Sequence, residues 1–329
     1  MSAVQTYLLT GFDDPRLPPE KWQRLLERGD TNVVFLTRQW LSAWWETLGK
    51  GEMLLIAAER AGEIVALAPF FTISGMIYFL GTGESDYLDI IGGGCDPEVM
   101  LALLATAREC VADFVGMKLY FVSDRSRTGP CLQAAAERLN LNCILRDEID
   151  SVEVDLAGQR DAVHESLARS MLKRENYFRD HGQFVIRRET EAAAIRPLLP
   201  EFYAQYTARW TAKGLPSELA DPAHCAFYER FLETAADTGW IRYLQLDFDG
   251  RVLAAELAWH YAGTHVSAPW SFSLEHAKHS PGHVLLRQSV LAALDANLHT
   301  YDLGLGDQAY KFRLPARRNN CQTWGLYAW

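Results

Sequence analysis

The stretch TYDLGLGDQAYKF, residues 300–312, contains Gly304-Leu305-Gly306-Asp307-Gln308-Ala309 directly after a strand-like Tyr-Asp-Leu. That is the spacing G-x-G-x-x-A, in which glycines bring the main chain against a dinucleotide pyrophosphate. The chemistry needs a helix whose first amides face the phosphates, inside a βαβ unit. Only 20 residues follow Ala309, Pro315 interrupts any helix there, and the tail NNCQTWGLYAW is aromatic and strand-like. The turn is therefore not expected to bind a dinucleotide. A better anion site lies upstream, where a strand at 264–270 runs into a polar loop. Ser280-Pro281-Gly282-His283-Val284 then opens an amphipathic helix. The first amides of a helix have no internal partner, and its dipole makes that end partly positive. A glycine there lets a diphosphate approach closely, and Lys278 and Arg287 would add charge. An ordinary helix cap is the plainer reading of the same residues.

Other chemistries find less support. Six of the nine histidines follow residue 259, but Pro281 breaks the helical spacing between His279 and His283, and no nearby cysteine joins them, so no metal is expected. Neither a G-x-S-x-G elbow nor a Walker loop occurs.

The elements that must position these residues read as an α/β (α+β) chain. Residues 35–48 are helical, with Trp40 and Trp44 on one face. Strands 53–59 and 64–71 flank the turn Ala61-Gly62. A helix at 97–112 is capped by Asp96 with Pro97 at its first position. Strand 118–122, helix 131–139 and extended stretches 143–146 and 152–156 follow. A long basic helix is expected over 161–180 with Gly182 as its stop, its Arg169, Lys173 and Arg174 forming a solvated face. Then come strand 184–188, helices 192–212 and 223–237, and a second hairpin, 241–247 and 252–260, around Asp249-Gly250. Strand 264–270, helix 282–297 and strand 301–303 complete the order. The two hairpins lie about 188 residues apart, and the Pro-opened helices (Pro97, Pro281) and later short strands (Leu119, Asp302) about 184. Nearly equal offsets point to duplicated domains, 1–158 and 159–329.

With 329 residues and 49% hydrophobic content the chain can bury real cores. A formal charge of -10 and no long basic run argue against non-specific nucleic-acid binding. The six cysteines include no C-x-x-C pair, so reduced thiols are expected. Residues 64–83 carry no charge, but Pro69, Ser74, Gly75 and Gly81 divide them into two buried strands rather than a membrane span. No secretory leader is evident, and a cytoplasmic protein is expected.

The ordered pieces FLTRQWLSAWW, SDYLDI, LARSMLKRENYFRDHG, ARWTAKG, LDFDGRVLAAELAW, SPGHVLLRQSVLAAL and YDLGLGDQAYKFRL span about residues 35 to 315. Together they resemble the acyl-CoA N-acyltransferase (GNAT) fold, more narrowly its double-domain BioF2-like or CelD-like branch. The pairing of two such domains is also similar to the Fem-type aminoacyl-tRNA transferases. The resemblance implies tandem GNAT-like domains, each a mixed, mostly antiparallel sheet flanked by helices. It implies acetyl-CoA or another acyl-CoA held by Ala268, Pro269 and Trp270, where two strands splay, and by Ser280, Pro281, Gly282, His283, Val284 and Arg287. The usual signature Q/R-x-x-G-x-G/A is reduced here to one glycine, which also leaves open a non-catalytic assembly partner.

Amine acylation requires a base for the amine, polarisation of the carbonyl and a proton for the leaving thiolate. Glu256, in a hairpin strand beside the implied cleft, is the candidate base, unless it faces solvent. Tyr310 is the candidate acid. Asp302 would hold the Gly304–Gly306 turn through its amides or contact substrate, and Lys311 would hold a phosphate or carboxylate. Asp86, Tyr87, Arg209 and Trp210 are candidate substrate contacts. The expected acceptor is a small amine or sugar-amine, in polysaccharide or envelope biosynthesis, with charged tRNA as a lesser alternative donor.

Overall fold

The computed structural model describes residues 3–328, and the chain divides into two units. The first holds residues through Asp150 and those from Asn319 onward. Its elements are β1 (Val4–Leu8), α1 (Pro19–Arg28), α2 (Arg38–Leu48), β2 (Glu52–Arg60), β3 (Glu63–Ile73), β4 (Met76–Phe79) and the two-residue β5 (Ile91–Gly92). After these come α3 (Pro97–Glu109), β6 (Gly116–Ser123), α4 (Thr128–Arg138) and β7 (Asn142–Asp155), whose residues from Ser151 belong to the second unit. Strands β1, β2, β3 and β4 pair antiparallel in sequence order, and β6 joins β4 in parallel. As the sequence predicts, Asp96 caps α3 by accepting from the amides of Glu98 and Val99. The uncharged stretch forms β3 and β4, joined by Ser74 and Gly75 in left-handed backbone (φ 50° and 77°). Among the described residues no helix is long and apolar enough to cross a membrane.

The second unit, Ser151–Arg318, contains α5 (Arg160–Ser170), α6 (Leu172–His181), β8 (Phe184–Glu189), α7 (Ala192–Ile195), α8 (Leu199–Thr211) and α9 (Pro222–Thr234). It continues with β9 (Ile241–Phe248), β10 (Arg251–Tyr261), β11 (Thr264–Phe272), α10 (Pro281–Asp295) and β12 (Thr300–Leu305), and the final strand of the chain is β13 (Ala316–Tyr327). Strands β8, β9, β10 and β11 pair antiparallel, and β12 joins β11 in parallel. The repeat read from the sequence is thus present as a repeated connectivity: strand, helices, hairpin, strand, helix, parallel strand. The expected class, a mixed α/β chain with mostly antiparallel sheet and flanking helices, is what the fold shows.

Three expectations change. The expected boundary at 158 moves to Ser151, and the tail does not stay with the second half. β13 pairs with β6 from Cys321 opposite Ser123 to Tyr327 opposite Gly116, so the first unit satisfies its backbone. The single helix expected over 161–180 is two, broken at Met171 (φ -122°), whose side chain is buried in a core with Val163, Leu167 and Val290. The stretches 143–146 and 152–156 are one strand, β7. Its alternation of apolar and charged residues is broken by Asp150-Ser151, which reads locally as a turn.

Candidate functional site

Strands β11 and β12 are paired only from Thr264 opposite Thr300 to Val266 opposite Asp302. Beyond that point β11 continues to Phe272 on β10 alone, so its outer edge from Ser267 on has no strand partner among the described residues. Such an edge offers backbone donors and acceptors to an extended ligand. The β10–β11 register also shifts between Glu256 and Ala258. Pro269, which cannot donate to a ladder, sits at this irregularity, where a proline is tolerated. A cleft at the parting of the strands is lined by Glu256, Ser267, Trp270, Gly282, Tyr301 and Tyr310, with Leu285, Leu286 and Leu303 as its apolar wall.

Glu256 is 3% exposed and faces α10, which answers the question of its orientation. Its Oε1 accepts the Ser267 hydroxyl at 2.6 Å and, more weakly, the Tyr301 phenol at 3.4 Å. The Tyr301 hydroxyl also donates to Ser289 Oγ at 2.8 Å. The Glu256 Oε2 is buried without a hydrogen-bond partner. Burial opposes the charge on Glu256, but His265 Nε2 at 3.7 Å and the Ser267 hydroxyl outweigh it and hold the carboxyl below its ordinary range. Glu256 is therefore ionised at neutral pH. Burial and this carboxylate push the Tyr301 phenol well up, so it stays a donor.

A line of polar side chains runs back from Glu256. His265, stacked on Tyr301 at 4.4 Å, has Nε2 3.2 Å from Ser289 Oγ and Nδ1 3.1 Å from His260 Nε2. Arg242 donates from Nε to His260 Nδ1 at 3.0 Å. A guanidinium can only donate, so His260 Nδ1 must accept and its Nε2 must carry the proton given to His265. The His265 proton is then on Nε2, directed at Ser289 and Glu256. One charged group at the end of the line fixes both tautomers. None of Tyr301, Ser267, Ser289 and His265 was legible as a site residue. His265 lies opposite His260 in a hairpin around Ala262-Gly263, and that pairing is the one signal available beforehand.

Burial, His265 and Arg242 depress His260 to about 3. The unfolded chain, with an ordinary histidine near 6.5, takes up this proton first as pH falls. The contribution is present above about pH 6.5 and is lost below it. Between pH 7 and pH 5 the parent should lose about 1 kcal/mol or more of unfolding free energy relative to its own His260→Asn variant. Urea titrations of both proteins at each pH measure it, and parallel losses would contradict the buried neutral imidazole.

The remaining predicted residues divide. Ala268, Pro269, Trp270, Gly282 and Tyr310 stand around the cleft or its open edge. The missing Cβ at Gly282 is explained first by packing, since one would lie 2.9 Å from Trp270 Cζ3 and 3.2 Å from Phe272 Cδ1. Ser280 is left-handed (φ 58°) and makes no side-chain cap bond, Pro281 occupies the first helical position, and Val284 is core. His283 is half-buried with Nδ1 unbonded, and burial and nearby arginines hold it down at about 4. Arg287 is committed to buried Glu175, which also accepts from Gln288 and Arg179, so it does not face a ligand. Arg209, 6% exposed, lies over Trp270 at 4.7 Å, with Tyr206, Trp210 and Phe272 around it.

Asp302 accepts the Gly304 amide at 2.8 Å, the turn-holding role. Lys311 is corrected. Its ammonium, 2% exposed, donates to the carbonyls of Gly304 (3.0 Å), Leu305 (2.7 Å) and Gly306 (2.9 Å), which uses all three protons. The glycines are required by φ 70° and 87°, and only a three-residue 3-10 turn, Lys311–Arg313, follows before β13, so the G-x-G turn is a lysine-clamped strand end. Asp86 and Tyr87 lie in the first unit, where Tyr87 packs on Phe35 at 5.9 Å. His276 packs on Phe178 and Phe248, His279 stacks on Tyr177, and no metal-binding group occurs among the described residues.

No curated protein matches the chain. Among solved structures, FemX is similar with a TM-score of 0.68 at 11% identity, over 99% of this chain and 97% of that one. The C-terminal domain (DUF2156) of a putative lysylphosphatidylglycerol synthetase from Agrobacterium fabrum gives 0.55 at 15% identity, over 93% and 92%. A tandem GNAT protein from the clavulanic acid biosynthesis pathway gives 0.54 at 12% identity, over 98% of each chain. At these identities the likeness is one of fold. Residues 166–312, which carry Glu256, the parting strands and α10, match the family model for the acetyltransferase (GNAT) domain.

Proposed function

We propose that the second unit transfers an acyl group, acetyl being the simplest, from a CoA thioester to the amine of a small acceptor. The narrower resemblance to BioF2-like and CelD-like proteins favours a sugar-amine or similar acceptor in polysaccharide or envelope synthesis. One observation carries the reading: an ionised carboxylate, Glu256, lines a cleft formed where two parallel strands part, with one oxygen held by Ser267 and Tyr301 and the other unpartnered.

In this reading the open edge of β11 pairs with the carrier's amide groups, and the first amides of α10 lie next to it. The amine nitrogen attacks the thioester carbonyl, the N–C bond forms and the C–S bond breaks. The amine proton passes to Glu256, directly or through one water, and the Tyr310 phenol supplies the proton to the leaving thiolate, recovering its own from solvent. Tyr301 and Ser267 hold the carboxylate in place. The residues fit a thioester carrier at the β11 edge. At α10 the Trp270 and Phe272 rings cover part of Gly282, so the diphosphate would meet the ring edges as well as the amides.

Calorimetry with acetyl-CoA tests the reading. Binding is expected on the order of micromolar, weakened by Gly282→Ala, whose Cβ must push the Trp270 ring aside, and lost with Gly282→Glu, which adds a negative charge where the diphosphate would lie. No binding of any acyl-CoA by the parent would instead favour a non-catalytic partner.

A further inference from the structure

Glu256 is shared by two cavities. Behind the cleft lies a chamber of about 190 Å³ under the C-terminal half of α10. Glu256, His265 and Ser289 close its inner end. Leu244, Ala258 and Ala292 form its walls, and Ala258 and Ala292 leave space that larger side chains would fill. Arg242 lines it two residues along β9 from Leu244, and Arg188, Glu189 and Thr190 line it from the end of β8. Leu244 pairs with Glu256 and Arg242 with Ala258, so Glu256 and Arg242 are offset by roughly 7 Å, two residues of strand.

Four charged side chains line the chamber, Glu256 and Glu189 negative and Arg242 and Arg188 positive. Glu256, at the inner end, is an anion with a free oxygen. Arg242 bonds only to neutral acceptors, namely His260 Nδ1 and the carbonyls of Gly239 (2.8 Å) and Ile241 (2.6 Å). Among the described residues it has no ion-pair partner, although it is half-buried. Arg188, which is exposed, bonds to Gln288 (3.1 Å). A half-buried guanidinium without an anion is costly unless a ligand supplies one. The chamber does not suit an acyl tail, because a methylene chain ending there would desolvate Glu256 and two imidazoles without compensation.

We propose that this chamber receives the acceptor, and that the acceptor is a small ω-amino carboxylate: an amine for Glu256, a short apolar middle, and a carboxylate for Arg242. The assignment rests on the reading of Glu256 as the base of an acyltransferase. Arg242 then does two things, pairing with the acceptor's anion and fixing the His260–His265 tautomers so that N–H groups face Glu256.

The test is calorimetry on the full chain with 6-aminohexanoate, hexylamine and hexanoate, with acetyl-CoA titrated in parallel. The bifunctional probe should bind at least about tenfold more tightly than either truncated one, the scale of one charged hydrogen bond. Arg242→Gln should weaken it by a similar factor. Because Arg242 also supports the Gly239–Ile241 turn, Ala292→Leu, which fills the chamber without touching that turn, should abolish probe binding independently. Equal binding of hexylamine, or indifference to Ala292→Leu, overturns the proposal. So does tighter binding of octanoyl-CoA than acetyl-CoA that Ala292→Leu abolishes, since the chamber would then hold the acyl chain. If the parent binds 6-aminohexanoate in the chamber but no acyl-CoA, the thioester reading fails while the ligand class stands.

Discussion

Glu256→Gln should lower thiol release from acetyl-CoA in the presence of an amine acceptor by about 10²- to 10⁴-fold, the usual contribution of a positioned base. The fold should survive, because glutamine is nearly isosteric and its carbonyl oxygen can still accept the Ser267 and Tyr301 hydroxyls that Oε1 accepts now. Because the folded surroundings favour the ionised carboxylate, the neutral amide should lower the melting temperature modestly at neutral pH without unfolding the chain. The loss should fall on kcat at saturating acceptor, while acetyl-CoA affinity stays within a few-fold, because the carboxylate is not part of the carrier's anion site. A variant that keeps more than about a third of the parent rate, against the 10²-fold or greater loss expected of a base, would show that the carboxylate is structural. A variant that is unfolded at the assay temperature would show that the His265–Glu256 contact is needed for folding, and it would make the rate uninformative about the base.

The architecture was legible where local chemistry fixes it. Left-handed pairs such as Ala61-Gly62 and Asp249-Gly250 set both hairpins (φ 54°, 81°, 50° and 77°), and Asp96-Pro97 set the start of α3. Glu256 is a candidate from its position in the second hairpin, and the fold buries it beside the cleft. What stayed hidden depends on contacts between residues far apart in sequence. Ser289 meets Tyr301 and His265 only because α10 lies across β10 and β11. Arg287 reads as a free cation beside a helix start, but a helix turn more than a hundred residues upstream brings Glu175 to it. The tail's return to β6 was invisible because an alternating strand does not say which edge it will pair with. Tyr310 and Lys311 are neighbours in sequence that part in role, the first on the cleft and the second under the turn. Spacing alone could not separate them.

Lys311→Met should cost about 3 kcal/mol or more, because bonds from a charged donor contribute about 1.5–3 kcal/mol each and three carbonyls lose their donor together. The methionine fills nearly the same volume, so the loss would report the clamp rather than a cavity. Relief from burying the ammonium offsets part of it, which is why the expectation stays well below the sum of three bonds. For a unit of this size that cost lowers the melting temperature by roughly 6–12 °C. The consequence reaches the cleft through geometry. Gly304 and Leu305 end β12 and Gly306 follows it, and Asp302 in the same strand holds the Gly304 amide. Loosening the turn would free the strand that carries Tyr301, so amide exchange at residues 301–306 should accelerate while β9 and β10 stay protected. A loss below about 1 kcal/mol, the scale of one ordinary hydrogen bond, would show that the three carbonyls find other donors. Lys311 would then return to consideration as a ligand contact, as its place beside Tyr310 first suggested.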